Sequence, residues 1–386
     1  MLIERYQQIN QLLDLLQDYP VVAILGARQV GKTTLSRQLV PHLCGPVTTF
    51  DLEDPRHLER LSDPILELEP LKGLVVLDEI QLRPELFPVL RVLADRRPLP
   101  ARFLVLGSAS PDLLRQSSES LAGRIHYHQL GGFSLDEVGI DNIMALWQRG
   151  GFPASYLARS DAASFRWRRD FIQTFVERDL PQLGIQIPSV TLWRFWSMIA
   201  HYHGQTWNGA ELARAFGVGE TTVKRYRDLL TSALMLRQLQ PWHENLSKRQ
   251  VRAPKVYLVD SGLLHSLLDV ASMADLVNHP KVGASWEGFA LQQVTLRLGA
   301  EPEQCFFWAT HAGAELDLLV VHGRRRLGFE FKRTSTPRRQ RSMHVAMSDL
   351  GLDRLDVIYP GEETFAMGEK MRAVGLSRLL IDVEPL

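Results

Sequence analysis

A chain that carries Gly26-Ala27-Arg28-Gln29-Val30-Gly31-Lys32-Thr33 has few folds open to it. The octapeptide matches the phosphate-cradling pattern G-x-x-x-x-G-K-[ST]. It lies between an apolar run, Val21 to Leu25, and a helix-compatible stretch from Thr34 to Val40. Such a loop works only when a strand feeds it and a helix begins at its end. The glycines then let successive N–H groups turn inward on phosphate oxygens, and the helix N-terminus adds its partial positive charge. In that frame Lys32 reaches the β- and γ-phosphates, and the Thr33 hydroxyl holds Mg²⁺. Gly26 through Thr34 is the expected ATP-binding element.

A second segment supplies what the loop lacks. Leu74-Val75-Val76-Leu77-Asp78-Glu79 is a short apolar strand ending in two acids. Asp78 is expected to complete the Mg²⁺ shell, and Glu79 to act as general base toward the attacking water. A third apolar run, Phe103 to Gly107, leads into Ser108, whose hydroxyl suits contact with the γ-phosphate or that water. Strands at 21–25, 47–51, 74–78 and 103–107 alternate with helical stretches, the pattern of a parallel sheet covered on both faces. Ligands of such sheets sit beyond the carboxyl ends of the strands, where Lys32, Asp78 and Ser108 fall. Ahead of the first strand, Ile9, Leu12, Leu13, Leu15 and Leu16 recur near helical spacing within residues 4–18.

The three strands have the order and spacing of an AAA+ ATPase. Gly26 to Thr33, Leu77-Asp78-Glu79-Ile80-Gln81, Leu106 to Ser110 and Ser120 to Arg124 together resemble one large prokaryotic family of AAA+ ATPases. The C-terminal half of that family is a domain of unknown function. Gly150 to Pro153, Glu177 to Leu180 and Pro254-Lys255-Val256-Tyr257 fit its pattern too, so the likeness covers nearly the whole chain. The resemblance implies ATP hydrolysis and work on DNA, with no defined substrate. Two roles fit Arg124, sixteen residues past Ser108. One is a finger that reaches a neighbouring subunit's γ-phosphate, which requires a homo-oligomer and rests on the resemblance. The other is a helix-terminal arginine that neutralises its own helix end.

Composition sets limits. Hydrophobic content of 45% and charged content of 23% over 386 residues suit a soluble globular chain of two or three domains. No apolar run nears the ~18 residues of a membrane span, and the charged start Met1-Leu2-Ile3-Glu4-Arg5 is no signal peptide, so a cytoplasmic protein is expected. Cys44 and Cys305 have no metal-ligand spacing and read as buried or half-buried thiols. A formal net charge of zero confines any DNA contact to local basic patches.

After Gly131-Gly132 the pattern changes to a long helical region, from about 160 to 240. Arg166-Trp167-Arg168-Arg169 reads as a solvated helix face over a packed tryptophan. Residues 211–226 read as a helix-turn-helix. Leu212 and Ala213 face inward, a turn falls at Gly217 to Gly219, and a second helix exposes Thr222, Lys224, Arg225 and Arg227. Lys248 to Arg252 and Lys255 to Val259 are the expected wing. The roles open to this unit are DNA reading, protein contact, and a lid over the nucleotide.

A second chemical constellation lies further on. Glu287 sits in a helical stretch, Asp317 on an apolar strand, and Glu330 and Lys332 on the next. Being two apart, the last pair points to one side. The set resembles the PD-(D/E)xK nuclease core, which implies that Glu287, Asp317 and Glu330 hold Mg²⁺ while Lys332 orients the attacking water. From His322 to Arg341 there are eight lysines and arginines and one acid, a patch suited to DNA phosphates. The expected class is α/β throughout. It comprises an AAA+ P-loop parallel-sheet domain at 1–130, a helical lid and winged helix at 131–275, and a nuclease-like domain at 276–386. The competing function is an ATP-dependent switch that binds a protein partner without cutting DNA.

Overall fold

The computed structural model describes residues 2–108, 117, 119–182, 187–243 and 251–386. They form two compact units, Met1–Gly132 with Ser232–Leu234, and Phe133–Thr231 with Met235–Leu386.

The first unit begins with helix α1 (Tyr6–Asp18), which buries Ile9, Leu12 and Leu16, positions three and four apart. Then follow β1 (Val21–Gly26), α2 (Lys32–Leu39), β2 (Val47–Asp51), β3 (Gly73–Asp78), α3 (Leu86–Ala94), β4 (Ala101–Ser108) and β5 (Ile125–Leu130). The five strands run in the order β2-β3-β4-β1-β5, and every pairing is parallel. Every residue of β1 is buried. This is the mark of a strand flanked by neighbours and covered on both faces. Four of the strands lie where the apolar runs place them. The fifth, Ile-His-Tyr-His-Gln-Leu, is only half-buried at the sheet edge, so its polar residues conceal it. Phe50, Leu77, Ile80, Phe87, Leu90 and Phe103 form part of the core on one side of this sheet.

The second unit includes α4 (Ile143–Arg149), α5 (Asp161–Thr174) and α6 (Ser189–His201), followed by β6 (Gln205–Thr206), α7 (Gly209–Phe216), α8 (Glu220–Ser232), β7 (Leu236–Pro241) and β8 (Lys255–Leu258). It continues with α9 (Ser261–Leu267), α10 (Val282–Leu298), β9 (Cys305–Ala309), β10 (Glu315–His322), β11 (Arg325–Phe331), α11 (Arg341–Leu350), β12 (Arg354–Tyr359), β13 (Thr364–Ala366) and β14 (Met371–Gly375). Nine strands make one sheet, β13-β14-β12-β11-β10-β9-β7-β8-β6. Because β7 pairs in parallel with β9 at Gln240↔Phe306, the sheet crosses the boundary expected at 275. The two C-terminal domains expected from the sequence are folded as one compact unit.

Three sequence expectations need correction. Arg168 is not on a solvated face. It is fully buried and donates to the carbonyls of Gln148 (3.0 Å) and Gly262 (2.8 Å), so it ties α4 to α9. Arg227 is not exposed on the second helix of the 211–226 pair. It is buried, stacked 4.8 Å from the Trp207 ring and paired with Asp228, whereas Lys224 and Arg225 are exposed. Cys305 is buried as expected, but Cys44 is exposed. Lys248 to Gln250 of the expected wing, and Ala109 and Ser110 after β4, lie outside the described residues. Among the described residues, no helix is long and apolar enough to cross a membrane.

Candidate functional site

The phosphate loop joins β1 to α2, as its pattern requires. Gly26 has no room for a side chain, since a Cβ there would stand 2.7 Å from the Leu130 carbonyl oxygen. Gly31 takes a φ of 100°, a backbone that only glycine adopts without strain. Gln29 takes a φ of 61° and is exposed, a strain on the order of 1 kcal/mol held at the loop tip. Ala27 and Val30 are buried, Arg28 lies 3.4 Å from Glu53, and Thr34 is exposed in the first turn of α2. Arg5, read from the sequence only as an early charge, is a buried brace. Its guanidinium donates to the carbonyls of Gly131 (3.1 Å) and Gly132 (3.2 Å) and lies 3.5 Å from that of Val30.

Lys32 is buried and its ammonium turns back on its own loop, donating to the carbonyls of Gly26 (3.1 Å) and Ala27 (3.0 Å). Burial lowers its pKa, while the carboxylates of Glu79 and Asp78 pull the other way. The Thr33 hydroxyl donates to Asp78 Oδ2 at 2.7 Å. Desolvation raises the Asp78 carboxyl above its ordinary range, and the bond from Thr33 partly offsets this. A hydroxyl and a carboxylate already facing each other beside a buried lysine fit a magnesium–triphosphate complex.

Glu79 stands just beyond β3 in a left-handed conformation, φ 57°. Its side chain is held by Gln81 Nε2. Gln81 Oε1 accepts from the Ser108 amide at 3.3 Å, so one side chain links the ends of β3 and β4. Gln81 lies in the Leu77–Gln81 run but has no role in the sequence reading. Its position two residues past Glu79 was the available signal. Arg124 is engaged within its own unit: its guanidinium donates to both Asp95 oxygens (2.6 and 2.8 Å) and to the Ala122 carbonyl (2.9 Å).

The structure also gathers the C-terminal constellation. β10 and β11 pair antiparallel, which brings Asp317 beside Glu330 and Lys332. Lys332 Nζ is 2.7 Å from Glu330 and 3.7 Å from Asp317. Asp317 also accepts from the Phe331 amide at 3.0 Å. Burial first and Asp317 second push the Glu330 carboxyl up to about 8, and the same two causes raise Glu287 to about 7. Asp317 itself is lowered despite burial, because Lys255 and Lys332 stabilise its charge. The expected metal role of Glu287, Asp317 and Glu330 does not fit these contacts. Lys255 stands between Glu287 and Asp317. Among the described residues, no three His, Cys, Asp or Glu side chains are grouped to hold a metal ion. The sequence reading placed Lys255 and Tyr257 in the expected wing and gave them no part in this cluster, although Pro254 to Tyr257 was legible as a motif.

The N-terminal unit is an AAA domain: the profile of that family matches residues 18–139. Two domains of unknown function follow, DUF8612 over residues 140–274 and DUF4143 over 282–379. The chain is 51% identical over 380 residues to the uncharacterized proteins Rv2008c of Mycobacterium tuberculosis and Mb2031c of Mycobacterium bovis. The match covers 98% of this chain and 85% of each of theirs. At that identity and coverage the chain belongs to the family of these mycobacterial proteins. Among solved structures, the Walker-type ATPase PABY2304 of Pyrococcus abyssi is 16% identical, with 69% of this chain and 96% of that one covered and a TM-score of 0.48. The RuvB Holliday junction branch migration motor of Thermotoga maritima is 18% identical, with 61% and 90% covered and a TM-score of 0.31.

Proposed function

We propose that this protein hydrolyses ATP with Mg²⁺ in its AAA domain and applies the cycle to DNA held by its second unit. The observation that carries the ATPase reading is the Thr33–Asp78 bond at 2.7 Å beside a buried Lys32. In this proposal the N–H groups of residues 27–34 cradle the phosphates, and Lys32 exchanges two loop carbonyls for the β- and γ-phosphates. Thr33 and Asp78 hold Mg²⁺, which when bound draws off charge from the phosphate oxygens. Glu79 takes the proton of the attacking water, with Gln81 fixing its carboxylate and Ser108 close to the γ-phosphate. Arg124, once released from Asp95, serves the neighbouring subunit of a homo-oligomer.

Support for DNA comes from exposed cations of the second unit. Arg324, Arg325, Arg333, Arg338, Arg339 and Arg341 are exposed after β10 and β11. Lys224 and Arg225 are exposed on α8, the second helix of a winged-helix-like arrangement in which β7 and β8 follow. The test measures ATP turnover with and without duplex DNA at low and high salt. Stimulation at low salt that disappears at high salt is the expected result. No DNA effect at low salt would overturn the DNA reading and leave the second one, a nucleotide-dependent switch that binds a protein partner. One observation favours that alternative: the Lys255 ammonium lies beside both Glu287 and Asp317, which opposes the metal binding that a cutting step needs.

A further inference from the structure

Lys255 and Tyr257, read from the sequence as part of a wing, enter the C-terminal carboxylate cluster. Lys255 and Tyr257 are two apart on β8 and so point to one face. Lys255 is only 4% exposed. Its Nζ lies 3.5 Å from Glu287 and 3.6 Å from Asp317, and it is ion-paired with Glu315. The Tyr257 hydroxyl donates at 2.6 Å to Glu287 Oε1, the same oxygen that faces Lys255. On the far side of Asp317, its other oxygen accepts from the Phe331 amide at 3.0 Å and faces Lys332 at 3.7 Å.

A buried ammonium persists only where charge partners replace its water. Lys255 has three such partners, from α10 and β10. A divalent ion ligated by Glu287 and Asp317 must approach their oxygens to about 2.0–2.6 Å. That space is within reach of the Lys255 ammonium, and two cations cannot share it. We propose that Lys255 is the resident cation of the C-terminal carboxylate site and excludes divalent metal from it. The segment before α10 thus controls a site whose acids come after it. This role of Lys255 does not depend on the ATPase reading, and its test needs no nucleotide.

The test titrates Mn²⁺ into the full nucleotide-free chain and follows free Mn²⁺ by its EPR signal. Wild type is expected to show no uptake that depends on Asp317. Lys255→Met is expected to gain one Mn²⁺ per chain, at least tenfold tighter than any wild-type uptake and lost again when Asp317→Asn is added. Removing a buried cation alone strands its carboxylates, so Lys255→Met/Glu315→Gln is made alongside, and circular dichroism checks both folds. Asp317-dependent Mn²⁺ uptake by wild type overturns the proposal, whether or not the variants fold. A folded variant that gains no site overturns it equally.

Discussion

The Thr33 hydroxyl donates to the Asp78 carboxylate at 2.7 Å, joining the first turn of α2 to the end of β3. The bond places both groups beside Lys32, a buried ammonium satisfied by two carbonyls of its own loop. Those carbonyl bonds leave Lys32 free to move to phosphate, and its burial makes phosphate the better partner. Lys32→Met is expected to cut ATP turnover by at least ~100-fold, since transition-state charge loses its nearest cation. The melting temperature should hold or rise, because a buried charge is removed. Phosphate release and a thermal melt read the two effects. Turnover near the wild-type rate would remove the nucleotide assignment.

A change at Gln81 is expected to separate binding from chemistry. Its side chain bonds to the Glu79 carboxylate and the Ser108 amide, at the ends of β3 and β4 rather than on the phosphate loop. Gln81→Leu is therefore expected to lower kcat about tenfold with KM for ATP nearly unchanged, the size of a misplaced general base. A matching rise in KM with unchanged kcat would show that Gln81 serves nucleotide binding instead.

The bidentate pair between Arg124 and Asp95 gives a test of the proposed role of Arg124 in trans. Hydrogen bonding from Arg124 holds the Asp95 carboxyl below its ordinary range, so the pair is charged at neutral pH. Both side chains are part-exposed, which makes the pair cheap to break. If Arg124 works in trans, Asp95→Ala raises ATP turnover a few-fold, and the rise grows with protein concentration. Arg124→Ala lowers turnover and abolishes that concentration dependence. Equal rates for wild type, Asp95→Ala and Arg124→Ala would reduce Arg124 to the local helix-end role.

How far the sequence foretold the structure depends on the element. Apolar runs such as Val21 to Leu25 and Leu74 to Leu77 are strands because both faces are buried, and no polar alternation obscures them. β5 escaped because an edge strand needs less apolar surface. Charge was the poorer guide. Arg168 and Arg227 read as solvent-facing, since periodicity cannot show that a guanidinium will find two carbonyls or a tryptophan face. The spacing of Asp317, Glu330 and Lys332 foretold their meeting on adjacent strands. It could not reveal Lys255, which arrives from a strand sixty-two residues before Asp317 and is placed only by the sheet order.

The pH dependence of stability follows from buried histidines of the second unit. His203 Nδ1 accepts from the Leu258 amide at 3.0 Å, so the neutral ring carries its proton on Nε2. Burial first, then proximity to the His265 ring and the Lys281 ammonium, hold the His203 imidazole down to about 3, and His265 is held to about 3 mainly by burial. In the unfolded chain both rings bind protons below about 6.5. Between pH 7 and pH 5 the unfolded state therefore binds more protons than the fold, and these groups cost stability as pH falls, on the order of 2 kcal/mol each by pH 5. Glu287 and Glu330, raised to about 7 and 8, act oppositely: the fold keeps protons that the unfolded chain has released, so their contribution declines as pH rises. The net slope of wild type mixes both signs, and the clean quantity is the difference from a histidine variant. His203→Gln is expected to lower stability at pH 7.5 but to lose roughly 2 kcal/mol less than wild type between pH 7 and pH 5. Denaturant melts of the two proteins at each pH give that difference. Parallel curves would mean that His203 titrates alike in both states and is not held neutral by the fold.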